Sequence, residues 1–262
     1  MSEALPVARW GRQGAPSVLL LHGFLGRGTD WASVADALRD DFDLLAPDLP
    51  GHGVALCLPD ETFTMDGAAD ILAAALDAEG ITRAAVVGYS MGGRLALHFA
   101  LHHPARVTAL ALLSASPGLP SEEERAARRT LDAARADEIR ADLAGFLSRW
   151  YRQPLFSSLT ETEQNRLVED RLRNDPEELA RALVGLGAGA QPGWGEHLHR
   201  LRVPALAVAG ARDGKYVGIA RSLAEAGPFE TALVPDAGHA LLTEAPAAVA
   251  DLLRRFLLSP AS

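Results

Sequence analysis

The stretch that most constrains how this chain can fold is centred on Ser90. A β-branched apolar segment, 84–87, leads into it, and a segment of helical composition, 95–100, leads out. Gly88 and Gly92 flank the serine, as expected for a tight turn that leaves no room for side chains and holds the serine in a crowded backbone conformation. Such a strand–turn–helix unit presents a serine hydroxyl at the positive end of a helix, where negative charge is favourable.

The rest of the pattern predicts an α/β fold with a mostly parallel sheet flanked by helices. Short, continuously apolar runs are typical of strands buried on both faces, and they alternate with amphipathic segments. We expect strands at 17–21, 42–46, 84–87, 107–113, 203–209 and 231–234, an edge strand at 7–10, and helices at 30–38, 65–79, 91–103 and 246–258.

The alternation stops after Gly118, and no convincing strand occurs between 121 and 190. That segment is rich in arginine and glutamate at helical spacing, and Ser121 with Glu124 forms a capping-box signature. The sequence therefore predicts a core in two parts, 1–118 and 193–262, interrupted by a helical cap insertion at 119–192.

Composition excludes several classes of partner. The net charge of −9 argues against binding to nucleic acid or to an anionic membrane surface. The only cysteine, Cys57, cannot form an internal disulfide, and no apolar run approaches the roughly 20 residues that a membrane-spanning helix needs. We expect a cytoplasmic protein without membrane insertion, and the sequence leaves its oligomeric state open.

A serine hydroxyl becomes reactive when an imidazole takes its proton, and a carboxylate must orient that imidazole. Asp213 and His239 both follow predicted strands and come after Ser90 in the chain. The resulting chain order, serine then acid then histidine, is the one expected for a nucleophile on this kind of strand–turn–helix unit. The competing acids are Glu230 and Asp236, and the position of Asp236 beside His239 favours a role in shaping that loop. We predict a catalytic triad of Ser90, His239 and Asp213.

Two backbone amides are expected to form an oxyanion hole: that of Met91, directly after the serine, and that of Phe24, in the loop after the first buried strand. His22 and His52, each beside glycine in a turn, are expected to be structural hydrogen-bonding residues. The spacing of His197 and His199 is common in solvated loops and offers no third metal ligand nearby. No metal and no cofactor are predicted.

These motifs resemble those of the α/β-hydrolase superfamily from Ser17 to the C-terminus. More narrowly, the chain is similar to the 2-succinyl-6-hydroxy-2,4-cyclohexadiene-1-carboxylate synthases of the menaquinone pathway. The narrower resemblance rests on motifs in both core and insertion, namely 88–94 ending in arginine, Arg125-x-x-Arg128, 150–156, Arg171 before Asn174-x-Pro176, 189–192, and Asp213-x-Lys215-Tyr216. Tyr216 departs from the phenylalanine expected in that family.

The resemblance implies a small anionic substrate with three carboxylates, bound in a pocket beneath the cap. Because the chain carries a net charge of −9, such a substrate requires concentrated cationic donors, and arginine suits a carboxylate bidentately. The substrate-binding residues that the resemblance implies are Tyr89, Arg94, Arg128, Trp150, Tyr151, Arg171 and Lys215.

The activity implied by the resemblance is that of a lyase, in which the triad acts as a general base and the substrate loses pyruvate. The alternative is a carboxyl-ester or carbon–carbon-bond hydrolase in which Ser90 is a covalent nucleophile. A third hypothesis, a non-catalytic binding protein of the same fold, is disfavoured because such a protein has no need for a complete triad.

Overall fold

The computed structural model, which describes residues 5–259, has a seven-stranded sheet at its centre. In chain order the strands are β1 (Val7–Gly11), β2 (Ser17–Leu21), β3 (Asp43–Pro47), β4 (Ala84–Tyr89), β5 (Val107–Leu113), β6 (Ala205–Gly210) and β7 (Phe229–Val234). Their order in the sheet is β1-β3-β2-β4-β5-β6-β7. Only β1 pairs antiparallel with its neighbour, so the predicted mostly parallel sheet is confirmed.

Helices cover both faces of the sheet. Within the described residues they are α1 (Ala32–Leu38), α2 (Met65–Ala78), α3 (Met91–His102), α4 (Glu122–Ala141), α5 (Leu143–Tyr151), α6 (Glu161–Arg171), α7 (Pro176–Leu186), α8 (Gly214–Ala226), α9 (Leu241–Glu244) and α10 (Pro246–Leu258). One apolar core joins the sheet to α2, α3 and α8, and a second joins its other face to α1 and α10. The buried strand residues alternate between these two cores, as the pleat of a strand requires.

The predicted boundaries agree with the structure to within about two residues, with one informative difference near α1. The sequence predicted a helix that starts at residue 30. Instead, a short 3₁₀ turn, Gly28–Trp31, precedes α1. The carboxylate of Asp30 accepts hydrogen bonds from the guanidinium of Arg171 and from the backbone N–H of Arg27, and it does not cap α1.

Helices α4–α7 form the insertion between β5 and β6, within the segment predicted from the sequence. The capping box at the start of α4 is present: Ser121 Oγ accepts from the Glu124 amide at 3.1 Å, and the Glu124 carboxylate accepts from the Ser121 amide at 3.2 Å. A third apolar cluster includes residues of all four inserted helices together with Leu25 and Ala240 of the core loops. The insertion therefore packs over the carboxyl ends of the strands, the edge where α/β proteins bind ligands.

No helix in the range 5–259 is both long enough and apolar enough to span a membrane.

Candidate active site

Ser90 lies in the sharp turn between β4 and α3. Its φ of 53° and ψ of −110° place a non-glycine residue in a strained conformation. The two flanking glycines are required by packing: a Cβ on Gly88 would lie 2.3 Å from the Gly92 carbonyl oxygen, and one on Gly92 would lie 2.3 Å from the Leu21 carbonyl oxygen. The strand and helix can therefore approach closely enough to hold the Ser90 hydroxyl in a fixed position.

The three residues predicted as a triad lie together at the carboxyl ends of their strands. His239 Nε2 is 3.1 Å from Ser90 Oγ, and His239 Nδ1 is 2.9 Å from Asp213 Oδ2. The second carboxylate oxygen of Asp213 accepts the Tyr216 amide at 3.3 Å, which fixes the carboxylate at the start of α8. The His239 imidazole is buried and contacts the Asp213 carboxylate. When the imidazole takes the Ser90 proton, this carboxylate is therefore well placed to stabilise the positive charge on the ring.

The competing acids lie elsewhere. Asp236 pairs with Arg212 at 3.0 Å, and its side chain is 87% exposed. Glu230 lies on the exposed side of β7. Neither therefore competes with Asp213 for His239.

The loop after β2 is held by a buried histidine. His22 Nε2 accepts the Leu49 backbone N–H at 2.9 Å, so the ring proton resides on Nδ1, which donates to the Gly23 carbonyl at 2.8 Å. Burial lowers the pKa of His22 from 6.5 to about 3 and that of His52, 5.1 Å away between ring centroids, also to about 3. Both rings are neutral near pH 7; His22 fixes the backbone next to Phe24, and His52 packs edge-on against the Phe24 ring.

The structure places Phe24 and Met91, whose amides are the expected oxyanion donors, in the wall of the same cavity as Ser90. Met91 is the first residue of α3, so its N–H belongs to the positive end of that helix. The ring of Phe24 packs edge-on against Trp150 of the insertion, with ring centroids 5.4 Å apart.

This cavity has a volume of about 1410 Å³ and lies between the sheet edge and the inserted helices. Its lining combines Ser90, Asp213 and His239 with five cations, which come from α3, α4 and the loop and helix after β6: Arg94, Arg128, Arg135, Arg212 and Lys215. A cavity of this composition is suited to an anion with several negative groups.

Arg94 lies one turn after Ser90 on α3. One of its terminal nitrogens donates to the Leu186 carbonyl of α7 at 2.9 Å, and the guanidinium forms no salt bridge within the described part of the chain. Burial lowers the pKa of Arg94 from its ordinary value to about 10, so the group remains charged near pH 7. A desolvated cation without a carboxylate partner is unfavourable unless a bound anion compensates it.

On α4, Arg128 and Arg135 flank the buried carboxylate of Asp132. Arg128 donates through Nε to Asp132 at 2.8 Å, and its terminal nitrogens make no other hydrogen bond within residues 5–259. Arg135 is 3.9 Å from Asp132, and its guanidinium lies 5.3 Å from the ring centroid of Trp150. Burial, and to a smaller extent repulsion from Arg128, lowers the pKa of Arg135.

Arg135 was not identified from the sequence. The spacing of Arg128, Asp132 and Arg135, four and then three residues, places all three on one face of α4. That periodicity could have indicated Arg135, but only together with the knowledge that this face lies over the cavity.

Arg171 lies apart from the cavity cations. The resemblance implied that Arg171 contacts the substrate, but Arg171 is not among the residues that line the cavity. Its two terminal nitrogens donate to the two carboxylate oxygens of Asp30 at 2.9 and 2.7 Å. Although burial opposes the charged form, Asp30 and Tyr151 raise the pKa of Arg171 above its ordinary value. Arg171 therefore ties the insertion to the core.

The two expected tyrosines also lie behind the cavity wall. Tyr89 is 5.6 Å from His239 between ring centroids, and a Cβ on Gly23 would touch its ring. Tyr151 is buried against Phe156, and burial raises the pKa of both tyrosine hydroxyls. Neither tyrosine belongs to the cavity lining, and Tyr89 packs against His239, which does.

Trp150 and Lys215, by contrast, line the cavity, and so does Tyr216. The Tyr216 ring is 4.7 Å from that of His239, and burial raises the pKa of its hydroxyl. The Lys215 ammonium lies 5.4 Å from the Tyr216 ring centroid. His197 and His199 belong to neither of the clusters of metal-binding side-chain types found in the described residues, and both clusters lie outside this cavity.

Comparison with known proteins agrees with this geometry. A family model for the alpha/beta hydrolase fold matches residues 16–246. The chain is 34% identical over 259 residues to the 2-succinyl-6-hydroxy-2,4-cyclohexadiene-1-carboxylate synthase of Serratia proteamaculans, covering 98% of this chain and 99% of the relative. The structure of MenH from S. aureus matches with a TM-score of 0.90 and 31% identity, covering 96% of this chain and 97% of that one.

A thermophilic esterase from Thermogutta terrifontis is also similar, with a TM-score of 0.81 and 27% identity, covering 97% of this chain and 92% of the other.

Proposed function

The chain belongs to the alpha/beta hydrolase family, and we propose that within this family it is a carbon–oxygen lyase of menaquinone biosynthesis. The substrate would be a succinyl-enolpyruvyl-cyclohexene carboxylate precursor, and the products pyruvate and 2-succinyl-6-hydroxy-2,4-cyclohexadiene-1-carboxylate. The sequence similarity to synthases named for this product, over almost the whole chain, supports the assignment.

The observation that carries the proposal is Arg94. This guanidinium lies one turn from the reactive serine, lines the same cavity, and is not neutralised by a carboxylate within residues 5–259. A hydrolase of simple esters gains nothing from an uncompensated cation at this position, because a neutral acyl group would leave it desolvated. A substrate carboxylate would compensate it.

In the proposed reaction, His239 accepts the Ser90 proton, and Asp213 stabilises the resulting imidazolium. Ser90 then removes a proton from the carbon next to the substrate carbonyl. The electron pair moves through the ring and breaks the carbon–oxygen bond to the enolpyruvyl group. That group leaves as the enolate of pyruvate and becomes pyruvate by taking up the proton held on the His239 imidazolium. The amides of Phe24 and Met91 would stabilise the enolate-like oxygen formed on proton removal.

The other cavity cations would then have separate roles. Arg128 and Arg135 line the cavity from helix α4 of the insertion, and Lys215 lines it from helix α8 of the core. Together with Arg94, they offer enough positive charge for the three carboxylates that the family's substrate carries. The geometry allows bidentate contacts only from the arginines.

The second candidate is a serine hydrolase, favoured by the completeness of the triad and by the similarity to an esterase at 27% identity. In that mechanism Ser90 attacks a carbonyl carbon, an acyl-enzyme forms, and water cleaves it. Both reactions use the same Ser90–His239 contact, so they differ in whether a covalent intermediate accumulates.

The test is to incubate the purified protein with the precursor and to follow pyruvate with lactate dehydrogenase, together with the ultraviolet absorbance of the conjugated diene. We expect pyruvate and diene to appear at equal rates, and Ser90→Ala to abolish both. An activated neutral ester is used in parallel. A stoichiometric burst of its leaving group, with no acceleration of pyruvate release over the Ser90→Ala protein, would support the hydrolase instead.

A further inference from the structure

A second cluster of chemically active side chains lies between α2 and α3, away from the cavity. Asp66 and Asp70 are one turn apart on α2, and they face His98, His102 and His103 at the end of α3. None of these five residues lines the cavity of Ser90. The proposed reaction therefore gives them no role.

Two possible donor sets share His102. In the first, Asp66 Oδ1 is 2.8 Å from His98 Nε2 and 3.9 Å from His102 Nδ1. In the second, Asp70 Oδ1 is 2.9 Å from His103 Nε2 and 3.6 Å from His102 Nε2. Within each set the potential ligand atoms all lie within 4.8 Å of one another. Ligand atoms of a tetrahedral zinc site are about 3.3 Å apart, given bonds of about 2.0–2.1 Å, so both sets are near that spacing.

Hydrogen bonding argues against the first set. His98 is buried, and its Nδ1 has no hydrogen-bond partner among the described residues. If Nε2 bound a metal ion, the ring proton would have to lie on Nδ1, as a buried donor without an acceptor. The contact to Asp66 is instead satisfied when Nε2–H donates to the carboxylate.

The second set has no such penalty. The side chains of His102 and His103 are 38% and 24% exposed, so solvent can reach these rings and an incoming ion can reach the site. If Nε2 of each ring binds the ion, water can accept the hydrogen bond from Nδ1.

The positions of the helix ends also favour the second donor set. His102 is the last residue of α3 and His103 its C-cap, so an ion bound there lies at the negative end of the helix dipole. Asp66 lies in the first turn of α2, at the positive end of that helix, where a cation is disfavoured.

We propose that Asp70, His102 and His103 bind a divalent transition-metal cation of the zinc class, with water completing the coordination. Two imidazoles and one carboxylate suit Zn²⁺, Co²⁺ or Ni²⁺ and offer too few oxygens for Ca²⁺. Because the ligands come from α2 and from the end of the helix that begins after Ser90, the ion would join these two helices and stabilise the folded protein.

The test uses ZnCl₂ in isothermal titration calorimetry and CoCl₂ in visible absorption, with the intact protein stripped of metal by a chelator. We expect one site per chain with micromolar affinity. Asp70→Asn should weaken binding by about tenfold or more, as loss of metal-site contacts commonly does. Asp66→Asn, a matched change one turn earlier on α2, should alter it less than about threefold.

The paired variant His102→Ala/His103→Ala should lose the site, whereas His197→Ala/His199→Ala removes two exposed histidines elsewhere and should retain it. Far-ultraviolet circular dichroism checks that each variant is folded. Absence of saturable Zn²⁺ or Co²⁺ binding to the unmodified protein would overturn the proposal. So would a larger loss from Asp66→Asn than from Asp70→Asn, because the ion would then lie on the other donor set.

Discussion

The α/β core and the inserted helices are stabilised by different interactions. Strands such as β2 and β5 are almost entirely buried and apolar, so the core depends on hydrophobic burial, which salt hardly weakens. Helix α4 buries only Asp132, Ala136 and Ile139 along its 20 residues, and its outer face carries ion pairs such as Arg129 with Glu122. Exposed pairs of this kind contribute little stability and are screened by salt.

This difference parallels a division within the candidate site. Ser90, Asp213 and His239 stand at the carboxyl ends of core strands, where a rigid sheet can hold them in register. Arg128, Arg135 and Trp150 come from the insertion. We propose that the core provides the reacting groups and that the insertion adds two cations, Arg128 and Arg135, that help to select the substrate.

The largest effect is expected in the core. Ser90→Ala, His239→Ala and Asp213→Asn should each lower kcat/KM by about 10³-fold or more, because each removes part of one proton-transfer unit. The Ser90→Ala/His239→Ala double variant should be hardly worse than the worse single variant. Steady-state kinetics measure this, with thermal unfolding as the control for folding. Losses that multiply would show that the two residues act independently.

The next effect concerns the contact between the two regions. Arg171→Met leaves the Asp30 carboxylate largely buried without its bidentate partner, and should lower the free energy of unfolding by roughly 3 kcal/mol. Urea denaturation measures the loss, and Asp30→Asn in the same chain should restore part of it. Arg173→Met, an exposed neighbour, is the matched control. Equal stability of the two single variants would contradict the assignment of Arg171 as a tie between insertion and core.

Arg94 belongs to the core, but its replacement should weaken activity toward the anionic substrate, as replacement of the insertion's cavity arginines should. Arg94→Ala should lower kcat/KM for the tricarboxylate by roughly ten- to hundredfold, the equivalent of about 1.5–3 kcal/mol for a charge-assisted hydrogen bond. Arg94→Lys should recover only part of the activity, because an ammonium cannot reproduce the planar fork. Full recovery by lysine in steady-state assays would indicate that charge alone matters at this position.

A smaller effect should appear in the pH dependence of core stability. Burial depresses the pKa of His52 to about 3 in the folded chain, while the unfolded chain retains about 6.5. Below pH 6.5 the unfolded state therefore binds the extra proton, and stability falls as the pH falls. This histidine should contribute about 1 kcal/mol of loss between pH 6.5 and 5.5.

Urea titrations at several pH values measure this slope. His52→Gln should flatten it by close to one proton, and His199→Gln, which removes an exposed histidine, is the control. An unchanged slope in His52→Gln would mean that the ring is protonated in the folded protein.

The difference between the core and the insertion also explains which features of the protein the sequence could predict. The turn at Ser90 and the positions of the strands depend on local motifs, and the chain order of Ser90, Asp213 and His239 was enough to predict that these side chains lie close together. The partner of Arg171 could not be predicted, because Asp30 lies 141 residues earlier in the chain and only folding brings them together. Arg135 was missed for a related reason: a polar helix carries many arginines, and the sequence does not say which face covers the cavity.

The division of roles is tested most directly by one pair of substrates, the anionic precursor and a neutral activated ester. Ser90→Ala should lose activity toward both. Arg128→Gln, which keeps a donor for Asp132, should lower kcat/KM by about tenfold for the precursor alone. Arg129→Gln makes the same charge change one residue further along α4, outside the cavity lining, and should leave both activities intact. Equal losses on both substrates in Arg128→Gln, or no loss on either, would contradict the account.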